Sequence, residues 1–266
     1  MAVSLVAGAS GAIGRFLLPR LLAAGHDVVA LSRVPRTSTQ PRLRWIVGDL
    51  DRGAPALPAC DAVFSAGPLD AFARWFANGA IGGSPRVVAI GSMSLETKRD
   101  SADAGERALA ARLDAAEHSL RAAAEARGCA WTLLRPTLIY GAGIDRSLSP
   151  IARFAQRWRL FPRLPAATGL RQPVHADDLA AACVAAAGSA LAAGRTYALG
   201  GGERLAFDAM LARVQASLPV RTLPLPLPLA PVRGVFALAR AAGLHPPHAT
   251  ALARLRKDLI AEDAAA

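Results

Sequence analysis

The sequence predicts an α/β protein built on a doubly wound parallel sheet, with a smaller lobe toward its C-terminal end. Three observations carry this reading. Short apolar runs alternate with helix-periodic segments through the first half of the chain, the pattern of parallel strands joined by crossover helices. A glycine-rich turn stands between the first apolar run and the first helix. The 266 residues are 53% hydrophobic and 19% charged, enough to bury a sizeable core. Aromatics contribute only 5%, so small aliphatic side chains must fill that core.

The elements follow in order. Val3–Ala7 is an apolar first strand. A helix over Ile13–Ala24 carries Phe16, Leu17, Leu21 and Ala24 at helical spacing, and Gly25 suits its C-terminal cap. Pro19 lies too deep for a first-turn proline and predicts a kink. Val28–Leu31, Leu43–Val47 and Ala62–Ser65 supply strands two to four, and a helix follows around Leu69–Asn78. Val87–Ile90 is strand five. A long helix covers Ala104–Arg127 and ends at Gly128, and Thr132–Leu134 begins strand six. Beyond residue 140 the regularity fades. Helices near Pro150–Leu160, Asp177–Gly188 and Phe207–Leu218 and a strand near Thr196–Leu199 complete the pattern. Leu223–Pro231 alternates leucine and proline, and proline donates no backbone hydrogen bond, so this stretch is expected to be extended and unpaired. Val232–Ala242 reads as a helix docked on the body. The division is residues 1–140 for a nucleotide-binding domain and 141–266 for a region that returns in part to its core and forms the small lobe.

Composition excludes several function classes. No run of about 20 strongly apolar residues exists, so no membrane span is expected. The N-terminus runs into Val3–Ala7 without a basic segment or cleavage site, which points to a cytoplasmic protein. Cys60, Cys129 and Cys183 are odd in number and unpaired in spacing, which excludes a disulfide framework and a thiolate zinc site. No His/Asp/Glu cluster has metal-ligand spacing, so no metal is expected, and no GxSxG elbow points to a hydrolase. The net charge is +11, and only Lys98 and Lys257 are lysines, so arginine supplies the rest of the basic residues. Part of this is a preference for arginine and alanine. Two groups are local, one from Arg33 to Arg52 and another from Arg153 to Arg171. No aromatic-interleaved basic stripe is present, so nucleic acid is not the expected partner and small anionic molecules are.

The strongest motif is Gly8-Ala9-Ser10-Gly11-Ala12-Ile13-Gly14, placed after a strand and at the opening of a helix. Gly8 permits the sharp turn out of the strand, Gly11 lets the backbone approach a pyrophosphate, and Gly14 lets helix and sheet pack closely. The helix N-terminus then offers free N–H groups and a positive dipole end. Ser10, Ala12 and Ile13 complete the cradle of a dinucleotide. At the end of strand two, Ser32-Arg33 presents no acid to a ribose hydroxyl. Arg33 can fork onto a 2′-phosphate instead, with Arg36 assisting, which favours NADP over NAD. Asp49, just past strand three, is either an adenine contact or a turn-capping aspartate.

These motifs resemble the short-chain dehydrogenase/reductase superfamily, on its extended or atypical NAD(P)-dependent epimerase/dehydratase side, over about residues 3–200. GASGAIG resembles the family's phosphate turn, and Gly48-Asp49-Leu50 its adenine contact. Ser65-Ala66-Gly67 resembles the loop passing along the cofactor. Gly91-Ser92-Met93-Ser94 is similar to the segment carrying the catalytic serine. Leu134-Arg135-Pro136-Thr137-Leu138-Ile139-Tyr140-Gly141 resembles the nicotinamide-side loop. The stretch Arg171–Leu179 is similar to the family's R-x-x-x-H-x-x-D segment. The resemblance implies a Rossmann-type fold, cofactor contacts from Asp49, Leu50, Ala66, Gly67 and Pro136, and substrate contacts from Ser92, Tyr140 and Arg171. Arg171 inherits a role on a substrate phosphate. The family also implies homodimerisation as an analogy.

The resemblance fails at the chemistry. Family members use a tyrosine with a lysine four residues later, both on one helical face. Counted from Glu117, those positions are Leu109 and Leu113, and no Tyr-xxx-Lys pair exists anywhere in the chain. Ser92 remains as a catalytic candidate, with replacement of the missing pair by Lys98 or Tyr140 left open. Lys98 is expected on the solvated surface, Tyr140 beside the cofactor or pocket, and His175 in a structural role at the helix start of Asp177 and Asp178. Two readings stay open: an NAD(P)-dependent oxidoreductase or epimerase on a small anionic substrate, nucleotide-linked or free, and a non-catalytic dinucleotide-binding sensor or assembly subunit. Leu255–Asp263 resembles the stretch before a closing segment, and the end at Ala266 predicts a more open substrate pocket.

Overall fold

The computed structural model describes residues 2–52, 57–79, 81–145, 147–227 and 254–261. The first half alternates strands and helices, apart from three strands that follow one another without an intervening helix. It comprises β1 (Val3–Ala7), α1 (Gly14–Ala23), β2 (Asp27–Ser32), β3 (Leu43–Val47), β4 (Ala62–Ser65), α2 (Leu69–Ala77) and β5 (Arg86–Ile90). A single turn α3 (Ser94–Thr97), the long α4 (Ala104–Ala126) and β6 (Trp131–Pro136) follow. The second half holds β7 (Leu138–Tyr140), α5 (Leu148–Trp158), β8 (Leu160–Arg163), β9 (Leu170–Arg171) and β10 (Pro173–His175). It continues with α6 (Ala176–Gly188), β11 (Arg195–Leu199), β12 (Leu205–Ala206), α7 (Phe207–Ala216) and β13 (Leu223–Pro226).

Seven strands form one sheet in the order β11-β6-β5-β4-β1-β2-β3, and every pairing in it is parallel. Helices cover both faces, so the central strands read as continuous apolar runs. Leu5, Val6, Val63 and Phe64 are all essentially inaccessible. On one face, Leu17 and Leu21 of α1 meet Leu179, Ala180 and Cys183 of α6. On the other, Phe72, Trp75 and Phe76 of α2 pack with Leu120 and Ala124 of α4. Each fully buried large side chain contributes about 1.5–3 kcal/mol relative to exposure. The strand order reverses between β1 and β4, the point in such sheets where a crevice opens at the C-terminal ends of the strands.

Helix ends follow the local chemistry. Gly25 takes φ +88° after α1, and the N–H groups of Gly25 and His26 return to the carbonyls of Leu22 and Leu21. The helix itself runs without interruption through Pro19. Asp103 caps α4 by accepting the Glu106 N–H at 3.0 Å.

The C-terminal lobe differs from the sequence expectation. Leu223–Pro226 is paired: β13 lies parallel to β8, with Leu223 opposite Leu160. The Leu-Pro alternation makes this possible. The N–H groups of Leu223 and Leu227 point to β8, reaching the carbonyls of Arg159 and Arg163 at 2.8 Å, while Pro224 and Pro226 fall at the outward-facing positions where no donor is needed. The lobe has its own small core of Leu148, Ala155, Phe161, Met210 and Leu211. Residues 254–261 return to β9, where Leu259 bridges Arg171. The proposed helix Val232–Ala242 lies outside the described residues.

Candidate functional site

The crevice between β1 and β4 is lined by the glycine turn. Gly8 takes φ +76°, and a Cβ there would lie 2.6 Å from the Ala66 carbonyl carbon and the Gly67 nitrogen. The loop after β4 therefore rests directly on the Gly8 backbone, an approach only glycine allows. The Gly11 N–H donates to the Gly8 carbonyl at 2.9 Å and closes the turn. A Cβ on Gly14 would stand 2.4 Å from the Ala9 carbonyl oxygen, so helix and turn are in backbone contact. No side chain caps the start of α1, which leaves the positive end of the helix for an anion.

A cavity of about 300 Å³ opens here, lined by Gly8, Ser10, Gly11, Leu31, Ser32, Arg33, Gly48, Asp49, Leu50, Ala66 and Gly67 among others. Segments far apart in sequence meet there, because the sheet carries the ends of β1 to β4 to one edge. The Gly48 N–H donates to the Ser32 carbonyl at 2.9 Å and ties the ends of β2 and β3 together. Asp49 uses one carboxylate oxygen to accept the Asp51 N–H at 3.0 Å, so it does cap its own turn. Its second oxygen has no part in that bond. Arg33 is exposed at the rim. An adjoining hollow of about 470 Å³ holds Ser10, Arg15, Arg36 and Trp45, with the Arg36 guanidinium 5.5 Å above the Trp45 ring. Ala12, Ile13 and Gly14 stand behind the cradle, with Ile13 and Gly14 buried.

After β5, the serine segment is held by hydrogen bonds to its own and neighbouring backbone. Ser92 Oγ accepts the Ser94 N–H at 3.1 Å, and the Pro136 carbonyl accepts the Met93 N–H at 3.1 Å. Behind them lies an ion network. Glu117 is almost wholly buried and takes a two-pronged contact from Arg135, at 2.9 and 2.6 Å, with a further bond from Arg121 at 2.8 Å. Arg135 also reaches Glu96 at 2.5 Å. Its hydrogen bonds to Glu117 hold the guanidinium above its usual range. Leu109 and Leu113 are half-buried on α4. Lys98 is partly withdrawn from water rather than on the open surface, and burial, followed by the nearby Arg254 charge, lowers its ammonium.

Three predicted residues have other neighbours. Tyr140 is exposed to a separate cavity of about 630 Å³ in the C-terminal lobe, beside Asp145, Leu148, Glu203, Met210 and Arg213. Burial alone would raise the Asp145 carboxyl. Bonds from Ser149, Leu148 and Ser147 outweigh it and hold the group at about 2. Arg171 is buried over the Phe207 ring, and its guanidinium donates to the carbonyls of Leu170, Lys257 and Arg254 at 2.7, 2.8 and 2.9 Å. A substrate phosphate reaches it only where that returning segment yields. His175 Nδ1 accepts the Asp177 N–H at 3.1 Å and starts α6, while Asp177 forms a two-pronged pair with Arg20 at 2.7 and 2.8 Å. Among the described residues no group of His, Cys, Asp and Glu could hold a metal ion, and no helix is long and apolar enough to cross a membrane.

Comparison with known proteins agrees with the cleft. A family model described as NAD(P)H-binding matches residues 8–147, just over half of the chain. The chain belongs to this NAD(P)H-binding family. A second model, the NAD dependent epimerase/dehydratase family, matches residues 110–200. A curated relative, the mitochondrial NADH dehydrogenase [ubiquinone] 1 alpha subcomplex subunit 9 of Arabidopsis thaliana, is 29% identical over 230 residues. That match covers 75% of this chain and 54% of the relative, so the chain spans about half of its length. Among solved structures, MoeE5 in complex with UDP-glucuronic acid and NAD aligns with TM-score 0.65 and 21% identity over 86% of both chains. The UDP-N-acetylglucosamine 4-epimerase from Bacillus cereus aligns with TM-score 0.65 and 15% identity, again over 86% of both. At these identities the likeness is one of fold.

Within the family frame, Gly8, Ser10, Gly11, Ser32, Arg33, Asp49, Leu50, Ala66 and Gly67 share one cavity, while Ser92, Pro136, Tyr140 and Arg171 line other parts of the molecule. Sequence reasoning passed over Arg15 and Trp45. Arg15 directly follows the last glycine of the turn, a signal available in the sequence. Trp45 required the pairing of β2 with β3 to bring it beside the turn.

Proposed function

We propose that this family member holds NADP in the β1/β4 crevice and does not turn it over by a tyrosine–lysine proton relay, serving instead as a dinucleotide-binding sensor or assembly subunit. One observation carries the reading: the cradle at Gly8, Ala66 and Gly67 is intact, while α4 offers the apolar Leu109 and Leu113 at the relay positions. Gly11 and the start of α1 hold the pyrophosphate, the open oxygen of Asp49 meets the adenine amino group, and Arg33 takes the 2′-phosphate with Arg36 and Arg15 nearby. When bound, the dinucleotide supplies a hydride donor or acceptor. The chain's own residues orient it and shield one edge. The name of the plant relative supports an assembly role.

A second reading, a reductase or epimerase on a nucleotide-linked substrate, is favoured by one feature. Tyr140 borders the 630 Å³ cavity, large enough for a small molecule. MoeE5, a fold neighbour, is solved with a UDP-sugar and NAD.

A fluorescence titration with NADPH and NADH on wild type and Arg33→Ala tests the proposal. NADPH is expected to bind, and the substitution to weaken it about tenfold or more with little change for NADH. Binding of neither nucleotide overturns the reading. Stereospecific hydride exchange between bound NADPH and a carbonyl or UDP-sugar, lost in Tyr140→Phe, favours the enzyme.

A further inference from the structure

The C-terminal lobe carries a face that the dinucleotide cleft does not use. Phe154 and Trp158 lie one helical turn apart on α5 and are exposed, Trp158 by 59%. Arg159 then takes the left-handed conformation, φ 59°, which turns the chain directly into β8. Leu160 of β8 stands in register with Leu223 of β13, which is 69% exposed, and Leu225 shares that face two residues on. Phe161 of β8 points the other way, into the lobe's core, while all four residues of β13 are exposed. Five large apolar side chains on these adjoining elements are thus exposed to solvent.

Their surroundings are basic. Arg153, Arg157, Arg159 and Arg221 are all exposed on these elements. The Arg157 guanidinium lies 5.4 Å from the Trp158 ring centre. No Asp or Glu occurs in residues 147–169 or 209–227. The nearest acids are engaged elsewhere: Asp208 with Arg163, Glu203 with Arg213, and Asp145 with the N-terminus of α5. Between Arg159 and Arg221 lies an open hollow of about 600 Å³, floored by Leu218, Val220 and Leu223.

We propose that this face docks on an anionic lipid bilayer. Phe154, Trp158, Leu160, Leu223 and Leu225 enter the interface, and the arginines lie at the headgroups with their apolar stems along the side chains. Charge complementarity selects an anionic surface. It also disfavours a second copy of the chain, which would bring two arginine-rich faces together. A strand-adding protein partner is disfavoured as well, because Pro224 and Pro226 remove the donors from the edge of β13 that faces away from β8. A partner without fixed donor and acceptor positions fits what remains. The proposal is independent of the dinucleotide reading, since none of these residues lines that cavity.

Vesicle flotation tests it, with phosphatidylcholine alone and with about 30% phosphatidylglycerol. The wild-type chain is expected to float with the anionic vesicles, less so as salt rises, and poorly with the neutral ones. Phe154→Ala/Trp158→Ala and Arg157→Glu/Arg221→Glu are each expected to weaken that binding about tenfold or more. NADPH binding measured in parallel reports whether each variant is folded and whether the cleft reading stands. Should a variant fail to fold, quenching of wild-type Trp158 by brominated lipid, with Trp158→Phe as the blank, reads the same contact. No flotation with anionic vesicles overturns the proposal. So does flotation indifferent to both double substitutions, which assigns binding to overall charge. Equal retention on polyglutamate that ignores Phe154 and Trp158 overturns it in favour of an acidic macromolecule. Concentration-dependent self-association abolished by Trp158→Ala overturns it in favour of a second copy.

Discussion

The two ends of the molecule are built on different principles. At the dinucleotide end, a cavity forms at the tips of β1 to β4, and its shape comes from backbone that lacks side chains at Gly8, Gly11 and Gly14. The C-terminal lobe has no such economy. Its ladders are two to four residues long, and it is held by particular polar contacts: Arg163 with Asp208, Arg171 with three carbonyls, and Asp145 on the start of α5. The first region is determined by where the chain can approach itself, the second by which polar groups find one another. Substitutions should therefore fail in different ways at the two ends.

The largest effect is expected between the regions, where Glu117 anchors α4 to β6. Glu117→Ala leaves the Arg135 guanidinium without its two-pronged acceptor, and a loss of about 3–5 kcal/mol is expected in denaturant unfolding. A loss under about 1 kcal/mol would mean that Glu96 alone satisfies Arg135. Gly8→Val comes next. The side chain meets the Ala66–Gly67 peptide and a positive φ, so about 2–3 kcal/mol of stability and all measurable NADPH binding should disappear together. If stability fell and binding survived, the cleft would not be the dinucleotide site.

Arg171→Met sharpens the contrast from the lobe's side. It removes three hydrogen bonds to part-buried carbonyls, and about 1–3 kcal/mol should be lost with NADPH affinity unchanged. Limited proteolysis near residues 254–261 reads the release of the returning segment. Asp145→Asn is the mildest, costing about 1 kcal/mol near neutral pH through a weaker helix cap. Its pH dependence has a definite sign. The folded carboxyl is held at about 2, below its unfolded value of about 3.9, so its contribution is complete above the unfolded value. That contribution fades as pH falls toward 2, and wild type and variant should converge there in thermal melts. A gap that persists at the acid limit would show that Asp145 acts through packing.

Much of the first half was legible because its signals are periodic and local. Strands one to five lie within a residue of their apolar runs, and the glycine turn stands where strand and helix demand it. The lobe was harder to read. β9, β10 and β12 are too short to carry a period, and β13 hides behind its prolines, whose meaning depends on which way each nitrogen points. Arg171 shows the same limit from the side of the site. A family-like motif marked it for a phosphate, and only the return of residues 254–261 shows what its guanidinium touches.

The amino-acid sequence by itself determined the doubly wound class, the glycine turn between strand and helix, and the missing tyrosine–lysine pair, since each is written in neighbouring residues or in their absence. Tertiary structure decided which residues share a cavity, that Tyr140 borders a different one, that Glu117 and Arg135 form a buried pair, and that Phe154, Trp158, Leu160, Leu223 and Leu225 are left exposed. The physical reason is range. Hydrophobic period and glycine geometry act over a few residues, whereas a polar group's partner is chosen by the whole fold, from whatever the sheet and the returning chain bring within reach.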